Sequence, residues 1–234
     1  MIWIARRRCK APELSSEQLR RLDAWRALPA ASGSLSIAAQ RHVVVDVETS
    51  GLRPQSDALL AIGAIAGSGG LIRLDEVFSS VLRQKEASAS QNILVHGIDG
   101  TTQTSATEPA EALLGFLEFA RKSPLVAFHA GFDRVFLERA ARSVLGIKMD
   151  ARWLDLAQLA PAFFPEHARE AQTLDAWTRL FGIENYSRHN AVADALATAQ
   201  LLQVVLARAA QAGVKRWSEL ASHAQAQRWL GPGI

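Results

Sequence analysis

The stretch from Val43 to Leu52 reads VVVDVETSGL and constrains the fold more than any other part of the chain. Its valines are typical of a buried β-strand, and the Ser-Gly pair that follows is typical of a turn. Because alternate residues of a strand share a face, Asp46 and Glu48 point the same way. Two like charges about 5 Å apart repel by roughly 3 kcal/mol at an effective dielectric constant of 20. The strand therefore needs a positive partner beside these two acids.

The chain has 234 residues, of which 49% are hydrophobic, so it can form one large domain with a buried core. Its single cysteine, Cys9, excludes an internal disulfide and a cysteine-based metal site. No window approaches the roughly 18 apolar residues of a membrane span, so we expect no membrane contact. The N-terminus, MIWIARRRCK, lacks the apolar core of a secretory signal. These features predict a cytoplasmic protein.

Positive charge is concentrated near the N-terminus. Residues 1–40 contain seven Lys and Arg against three Asp and Glu. The whole chain has a net charge of +3, so residues 41–234 carry −1. A basic arm with Arg6, Arg7 and Arg8 in succession can contact nucleic-acid phosphates, or it can simply be solvated.

The pattern divides the chain into three segments. Residues 1–40 are predicted to be a basic extension with one amphipathic helix, at 16–28, and a linker. A capping-box pattern that starts at Ser15 marks the beginning of that helix. Residues 41–212 are predicted to form the main domain, and residues 213–234 a C-terminal helix packed on it.

Hydrophobic periodicity predicts an α/β fold, a mixed sheet of about five strands flanked by helices. The predicted strands lie at residues 42–47, 59–66, 72–83, 125–128 and 152–155. The predicted helices of the main domain and the C-terminus lie at residues 108–122, 132–145, 156–163, 173–181, 190–212 and 217–229.

Four acids lie at the ends or edges of these elements. Asp46 and Glu48 are on the first predicted strand, and Asp133 follows the fourth. Asp194 lies in the first turns of the longest predicted helix, five residues after His189. Ligand sites of α/β sheets lie beyond the carboxyl ends of strands, and oxygen-rich clusters suit Mg²⁺ or Mn²⁺. The acids are therefore candidates for one metal site.

The acids fall within three motifs, DVETSGL at 46–52, FHAGFD at 128–133 and RHNAVAD at 188–194. The motifs resemble those of the DEDDh 3′–5′ exonucleases, the DnaQ-like enzymes similar to the proofreading ε subunit of bacterial DNA polymerase III. The segment NILVHGID, at 92–99, resembles a substrate-contacting element of the same family. The middle motif departs from the family pattern, with Phe128-His129 in place of His-Asn. The resemblance implies a ribonuclease H-like fold, to which the N-terminal helix is an addition.

The resemblance also implies a catalytic set, formed by Asp46, Glu48, Asp133, His189 and Asp194. The four carboxylates would hold two divalent cations, Mg²⁺ or Mn²⁺. By family analogy Asp46 bridges the ions, Glu48 and Asp194 hold the ion of the attacking water, and Asp133 supports the other. His189 would be the general base, because imidazole exchanges protons near neutral pH.

A second set of residues would hold the terminal nucleotide. It comprises Thr49, Gly51, Leu52, His96 and Phe132. Gly51 would let the chain turn close to the substrate, and His96 with the following Gly-Ile backbone would contact the same end. Phe132 could stack on a base or pack against the sheet.

These assignments predict a 3′–5′ exonuclease that releases nucleoside 5′-monophosphates from single-stranded or frayed DNA, since a base must leave its stack to enter a recessed site. One alternative is an RNA-trimming exoribonuclease of the same fold, because the choice of sugar depends on contacts to the 2′ position. Another is a nucleic-acid-binding module without catalysis. A polymerase partner is possible, but no segment of the chain indicates one.

Overall fold

The computed structural model describes residues 13–32, 34–86, 88, 93 and 97–230. Its strands are β1 (His42–Thr49), β2 (Leu59–Ser68), β3 (Leu71–Val81), β4 (Leu125–Ala127) and β5 (Trp153–Asp155). They form one sheet in the order β3-β2-β1-β4-β5. The pairs β1–β2 and β2–β3 are antiparallel, and β1–β4 and β4–β5 are parallel. The predicted mixed sheet of five strands is therefore confirmed.

Helices cover both faces of the sheet. They are α1 (Ser16–Arg26), α2 (Gly100–Ser105), α3 (Pro109–Ala120), α4 (Ala130–Val144), α5 (Leu156–Phe163), α6 (Leu174–Leu180), α7 (Ala191–Gln211) and α8 (Trp217–Leu230). A short 3₁₀ helix, Pro165–His167, follows α5. Buried residues of α1, α3 and α4 form one core with the sheet, and those of α5 to α8 form the other.

The central strand β1 contributes to both cores by simple alternation. Val43, Val45 and Val47 pack toward α3 and α4, whereas Val44 packs toward α7. The face of Val44 continues with Asp46 and Glu48 at the carboxyl end of the strand. The valines thus bury the first half of the strand on both sides, and they hold the two acids on the side that α7 covers.

Most predicted elements are present, with small changes at their ends. Strand β1 continues two residues beyond the predicted limit of 42–47, and α1 ends at Arg26 instead of residue 28. Helix α4 begins at Ala130, two residues earlier than predicted, because His129 has φ 61° and starts the helix from a left-handed residue. Helix α2 was not predicted; Asp99 caps it by accepting a hydrogen bond from the Thr102 backbone N–H.

The N-terminal helix packs against α3. Leu22 and Trp25 are buried there, and the Trp25 Nε1 donates to the Arg121 carbonyl at 2.9 Å. Arg21 pairs with Glu111 at 2.6 Å and Glu118 at 2.7 Å. Surface ion pairs contribute little stability, so the two buried side chains carry this contact. The basic run at residues 6–8 lies outside the described residues.

Helix α7 is the one described helix that is long and apolar enough to cross a membrane. However, 56% of its most apolar window is buried inside the protein, where it packs on the sheet. This burial is typical of the core helix of a globular protein. The cytoplasmic location expected from the sequence stays a prediction.

Candidate active site

Three carboxylates converge at the carboxyl end of β1. Oxygens of Asp46, Glu48 and Asp194 all lie within 4.8 Å of one another. Asp194 is 4% exposed and Glu48 is 9% exposed. Asp46 and Glu48 come from alternate positions of β1, and Asp194 comes from the first turn of α7. The structure therefore brings together three of the four acids predicted to bind metal within one small volume.

The approach of α7 to the sheet depends on Gly63, which pairs with Asp46 across β1 and β2. A Cβ at Gly63 would lie well inside 3.0 Å of the backbone of Ala191 and Val192. Only glycine leaves room for the first residues of α7 at this point. Sequence reasoning overlooked this residue, although a glycine inside a buried strand is a signal of close backbone approach.

Asp194 is held by the loop that precedes α7. One carboxylate oxygen, Oδ1, accepts hydrogen bonds from the Asn185 side chain at 2.5 Å and from the Arg188 guanidinium. The other, Oδ2, accepts from the His189 backbone N–H at 2.9 Å. Asn190 caps the helix by accepting from the Ala193 N–H. These contacts fix Asp194 relative to the strand acids.

His189 lies at the mouth of the site. Its backbone has φ 61°, a left-handed conformation that few residues other than glycine adopt. Its side chain is exposed, and it lines the same cavity as the acids. The imidazole is therefore accessible both from the cavity and from solvent.

Asp133 lies on α4 in the same cavity but outside the group of three acids. It is 3% exposed, and its carboxylate accepts a hydrogen bond from the Val47 backbone N–H. That bond links the first turn of α4 to the strand between Asp46 and Glu48. The structure thus places Asp133 beside the other three acids, with its own anchor on β1.

The charges in this cluster oppose one another. Burial raises the pKa of Asp46 well above its usual range, and the carboxylates of Asp133, Asp194 and Glu48 raise it further. Burial and the Asp194 charge raise the pKa of Glu48 to about 8, while Arg188 lowers it. Burial also raises the pKa of Asp133. An all-oxygen donor set that is short of positive charge fits a divalent cation such as Mg²⁺ or Mn²⁺.

A cavity of about 420 Å³ adjoins the acids. Its apolar wall is formed by Leu52, Phe128, Phe132 and Leu174. Leu52 is 82% exposed and so presents apolar surface at the edge of the cavity. Phe132 is half-buried and packs on Phe136 with ring centroids 4.9 Å apart, so it both packs and lines the cavity.

The remaining predicted substrate residues lie beside the cavity or outside the described chain. The Thr49 hydroxyl donates to the Gly51 carbonyl at 2.8 Å and so stabilises the turn after β1. A Cβ at Gly51 would lie inside 3.0 Å of the Asp57 carboxylate, so a larger residue here would displace that side chain. His96 lies outside the described residues.

The unusual pair Phe128-His129 stands at the start of α4. Phe128 packs in the second core and lines the cavity. The His129 backbone N–H donates to the Asp155 carboxylate at 3.0 Å, and its exposed ring contacts Phe128 edge-on at 4.8 Å. The backbone of His129 has a left-handed conformation. Its position therefore suits asparagine, the residue that stands there in the DnaQ-like motif.

Two arginines were missed by sequence reasoning. Arg188 lines the cavity and pairs with Asp194. Arg139, on α4, donates to the carbonyls of Pro54 and Asp57 and so ties the loop that carries Leu52 to the helix. Arg188 could have been noticed as a cation next to His189, whereas nothing in the sequence relates Arg139 to a loop more than 80 residues away.

Comparison with known proteins gives a family model, RNase_T, described as an exonuclease, which matches residues 43–202. A putative bifunctional exonuclease/endonuclease protein of Mycobacterium tuberculosis is 32% identical over 83% of this chain and 31% of its own length. A DNA polymerase III subunit epsilon-like protein of Rhodobacter capsulatus is 36% identical over 68% of this chain and 22% of its own. A PolC-type DNA polymerase III of Thermotoga maritima is 30% identical over 76% of this chain and 13% of its own length. The chain thus spans a third or less of the length of these relatives.

Two solved structures share the fold. Exonuclease I of E. coli, in complex with a dT13 oligonucleotide, superposes with a TM-score of 0.63 at 17% identity, over 74% of this chain and 42% of that one. Exonuclease X, in complex with 5′ overhanging duplex DNA, gives a TM-score of 0.58 at 19% identity, over 78% of this chain and 98% of that one. The expected ribonuclease H-like fold is therefore confirmed.

Proposed function

The chain belongs to the RNase_T family of exonucleases, and from this premise we propose that it removes nucleotides from the 3′ end of single-stranded or frayed DNA. The observation that carries the proposal is the convergence of Asp46, Glu48 and Asp194 within 4.8 Å beside an open cavity. Acids are rarely crowded and buried in this way unless a cation joins them.

In this proposal the metal ligands are Asp46, Glu48, Asp133 and Asp194. Two bound Mg²⁺ or Mn²⁺ ions would supply the positive charge that activates a water and offsets the charge developing on the phosphate. The acids supply a rigid frame, since Asp46 and Glu48 lie on a strand that pairs with β2 along its whole length and Asp194 is held by three donors. Rigid ligands reduce the reorganisation that catalysis requires.

His189 acts as the general base in this mechanism. It is exposed at the mouth of the cavity and adjoins the loop that holds Asp194. It takes the proton of the attacking water, and the leaving 3′ oxygen gains a proton from solvent. The released product is a nucleoside 5′-monophosphate.

The terminal nucleotide would lie along the apolar wall. Phe132 and Leu52 offer surface on which a base can pack once it has left its stack. The Thr49 to Gly51 turn brings backbone close to the sugar and phosphate, and His96 is retained in the proposal as a further contact. Preference for DNA is supported by the relatives, whose names include DNA polymerase III, and by exonuclease I with dT13 bound.

The test uses single-stranded DNA oligonucleotides labelled at the 5′ end, with Mg²⁺ or Mn²⁺, and with EDTA as control. We expect a ladder that shortens from the 3′ end and is absent for Asp46→Asn. Early release of the labelled 5′ nucleotide would refute the polarity, and tight binding without cleavage would identify a binding module. A matched RNA oligonucleotide cleaved faster than the DNA would favour RNA trimming.

A further inference from the structure

Arg188 bridges two helices at the edge of the acidic cluster. Its Nε donates to the carboxylate of Asp175, on α6, at 2.7 Å, and its Nη1 contacts the carboxylate of Asp194, on α7. Among the described residues, Arg188 is the only arginine or lysine that lines the cavity. The positive partner that the strand acids require is therefore, in this structure, a side chain.

The two carboxylates that hold Arg188 differ in environment. The side chain of Asp194 is 6% exposed and belongs to the acidic cluster, whereas that of Asp175 is 51% exposed. Arg188 also acts on the rest of the cluster, because its charge favours the ionised forms of Asp46 and Glu48. One guanidinium thus stabilises the buried acids while keeping a second anchor at the surface.

Arg188 and a divalent ion would compete for the same carboxylate. A carboxylate offers about four lone-pair positions, and Asp194 already accepts from Asn185, Arg188 and His189. A cation coordinated by Asp194 would also be repelled by a guanidinium in contact with that carboxylate. The repulsion between the two cations therefore favours withdrawal of the guanidinium from Asp194 when a metal binds.

We propose that Arg188 is a built-in counter-cation, which stabilises the acidic cluster without metal and is displaced toward Asp175 when a divalent ion binds. This inference rests on the metal site of the proposed function. Arg188 is accordingly a positioning residue, because it acts through Asp194. Its presence weakens metal binding, and the Asp175 anchor limits that weakening by giving the guanidinium another partner.

The proposal is tested by titrating Mn²⁺ alone into the metal-free protein by calorimetry, at fixed pH and ionic strength, and by melting the same proteins in EDTA. We expect Arg188→Gln to bind Mn²⁺ about tenfold tighter, since a nearby positive charge has been removed, and to melt at a lower temperature in EDTA. Arg179→Gln, which removes an exposed charge from α6, is the matched control and should leave Mn²⁺ affinity unchanged.

Asp175→Asn should change Mn²⁺ affinity in the opposite direction. It leaves Arg188 with Asp194 as its remaining carboxylate, so Mn²⁺ should bind several-fold more weakly than to the wild type. In the double variant with Arg188→Gln, the Asp175 change should have no further effect, because the coupling passes through the guanidinium. An equal weakening in both backgrounds would mean a general charge effect and would overturn the proposal.

Failure of this inference is separable from failure of the proposed function. If the wild type takes up no Mn²⁺ and Asp46→Asn behaves identically, the metal site itself is refuted, and the inference with it. If the wild type binds Mn²⁺ but folded Arg188→Gln binds it equally or more weakly, only the role of Arg188 is refuted. If Arg188→Gln does not fold, Asp175→Asn decides: weaker binding supports the proposal, and unchanged or tighter binding overturns it.

Discussion

Asp46 and Gly63 lie opposite each other on β1 and β2, and the glycine is the point at which helix α7 meets the sheet. Because Gly63 has no side chain, α7 can come close enough to the sheet for Asp194 to reach the carboxylate of Asp46. The acidic cluster, whose members come from distant segments, depends here on one position that has no side chain.

Gly63→Ala tests this dependence. The added methyl group would overlap the backbone of Ala191 and Val192, so α7 must shift away from Asp46. Overpacking of this kind destabilises by about 1–3 kcal/mol. We expect a lower melting temperature together with weaker Mn²⁺ binding. Gly131→Ala, on helix α4 where a Cβ meets nothing within 4 Å, should not lower the melting temperature and should leave Mn²⁺ binding unchanged, and equal behaviour of the two variants would contradict the interpretation.

Asp46→Asn separates repulsion from catalysis. Removing one buried charge relieves the cluster, so the metal-free protein should melt higher; about 1 kcal/mol would raise the Tm of a chain of this size by roughly 2–4 °C. Nuclease activity should fall by roughly 10²–10³-fold, as when one preorganised group is removed. Thermal melts with and without Mn²⁺ and oligonucleotide cleavage check both. A destabilised variant without Mn²⁺ would count against the self-repelling cluster.

Glu48 gives a pH dependence of defined sign. Burial and the Asp194 charge raise its pKa to about 8 in the folded protein, so between pH 6.5 and 8 the native state holds more protons than the unfolded chain. Without metal, stability should therefore fall as pH rises, by up to about 1.4 kcal/mol per pH unit for one group. Denaturant unfolding in EDTA should show a shallower slope for Glu48→Gln, and an unchanged slope would contradict the shift.

His42 gives the opposite sign in a different range. Burial lowers its pKa from 6.5 to about 4; its ring stacks on Trp217, with centroids 5.0 Å apart, and packs closely on Gly67. The unfolded chain takes up the proton first, so the stability that is present above pH 6.5 is lost as pH falls toward 4. The loss amounts to about 3 kcal/mol.

The measurement for His42 compares the wild type with His42→Phe, which keeps a ring on Trp217 but cannot be protonated. The difference in unfolding free energy between the two proteins should change steadily from pH 6.5 to pH 4. A constant difference over that interval would show that His42 does not titrate in this way.

Arg139→Gln tests the anchor of the loop that follows β1 and carries Leu52. Arg139 donates to the carbonyls of Pro54 and Asp57, so its loss frees the loop that carries Leu52. We expect KM for single-stranded DNA to rise about tenfold with a smaller change in kcat, because the four acids lie outside the loop that is freed. Arg134→Gln, on the same helix but paired with Glu138 at 2.8 Å, is the control. Equal kinetics for the two variants would exclude the loop as a substrate contact.

Some parts of the site are predictable because their causes are local. The strand period places Asp46 and Glu48 on one face, and this face is the one the structure turns toward α7. The start of α7 is likewise local, since Asn190 caps it and Asp194 follows in the first turn. The three motifs therefore contain most of the residues that line the cavity, whereas Thr173 and Leu174 lie outside them.

Other parts depend on contacts between distant segments. Arg188 supplies the counter-charge, and Arg139 secures the loop after β1, through side chains whose partners lie on other elements. Helix α2 was missed because its six residues have no apolar periodicity and rely on the Asp99 cap. Such features follow from how elements pack, and a local pattern does not encode packing.

The sequence by itself determined that Asp46 and Glu48 share a strand face and that Asp194 lies in the first turn of a helix, because alternation along a strand and capping at a helix are properties of a few neighbouring residues. Only the tertiary structure decided how those residues meet. Parallel pairing of β1 with β4 places Asp133 beside the strand acids. The close approach of α7 at Gly63 places Asp194 there as well. The physical reason is that a buried carboxylate gains its pKa from whatever is packed against it, and here Asp133 and Asp194 reach Asp46 from two helices.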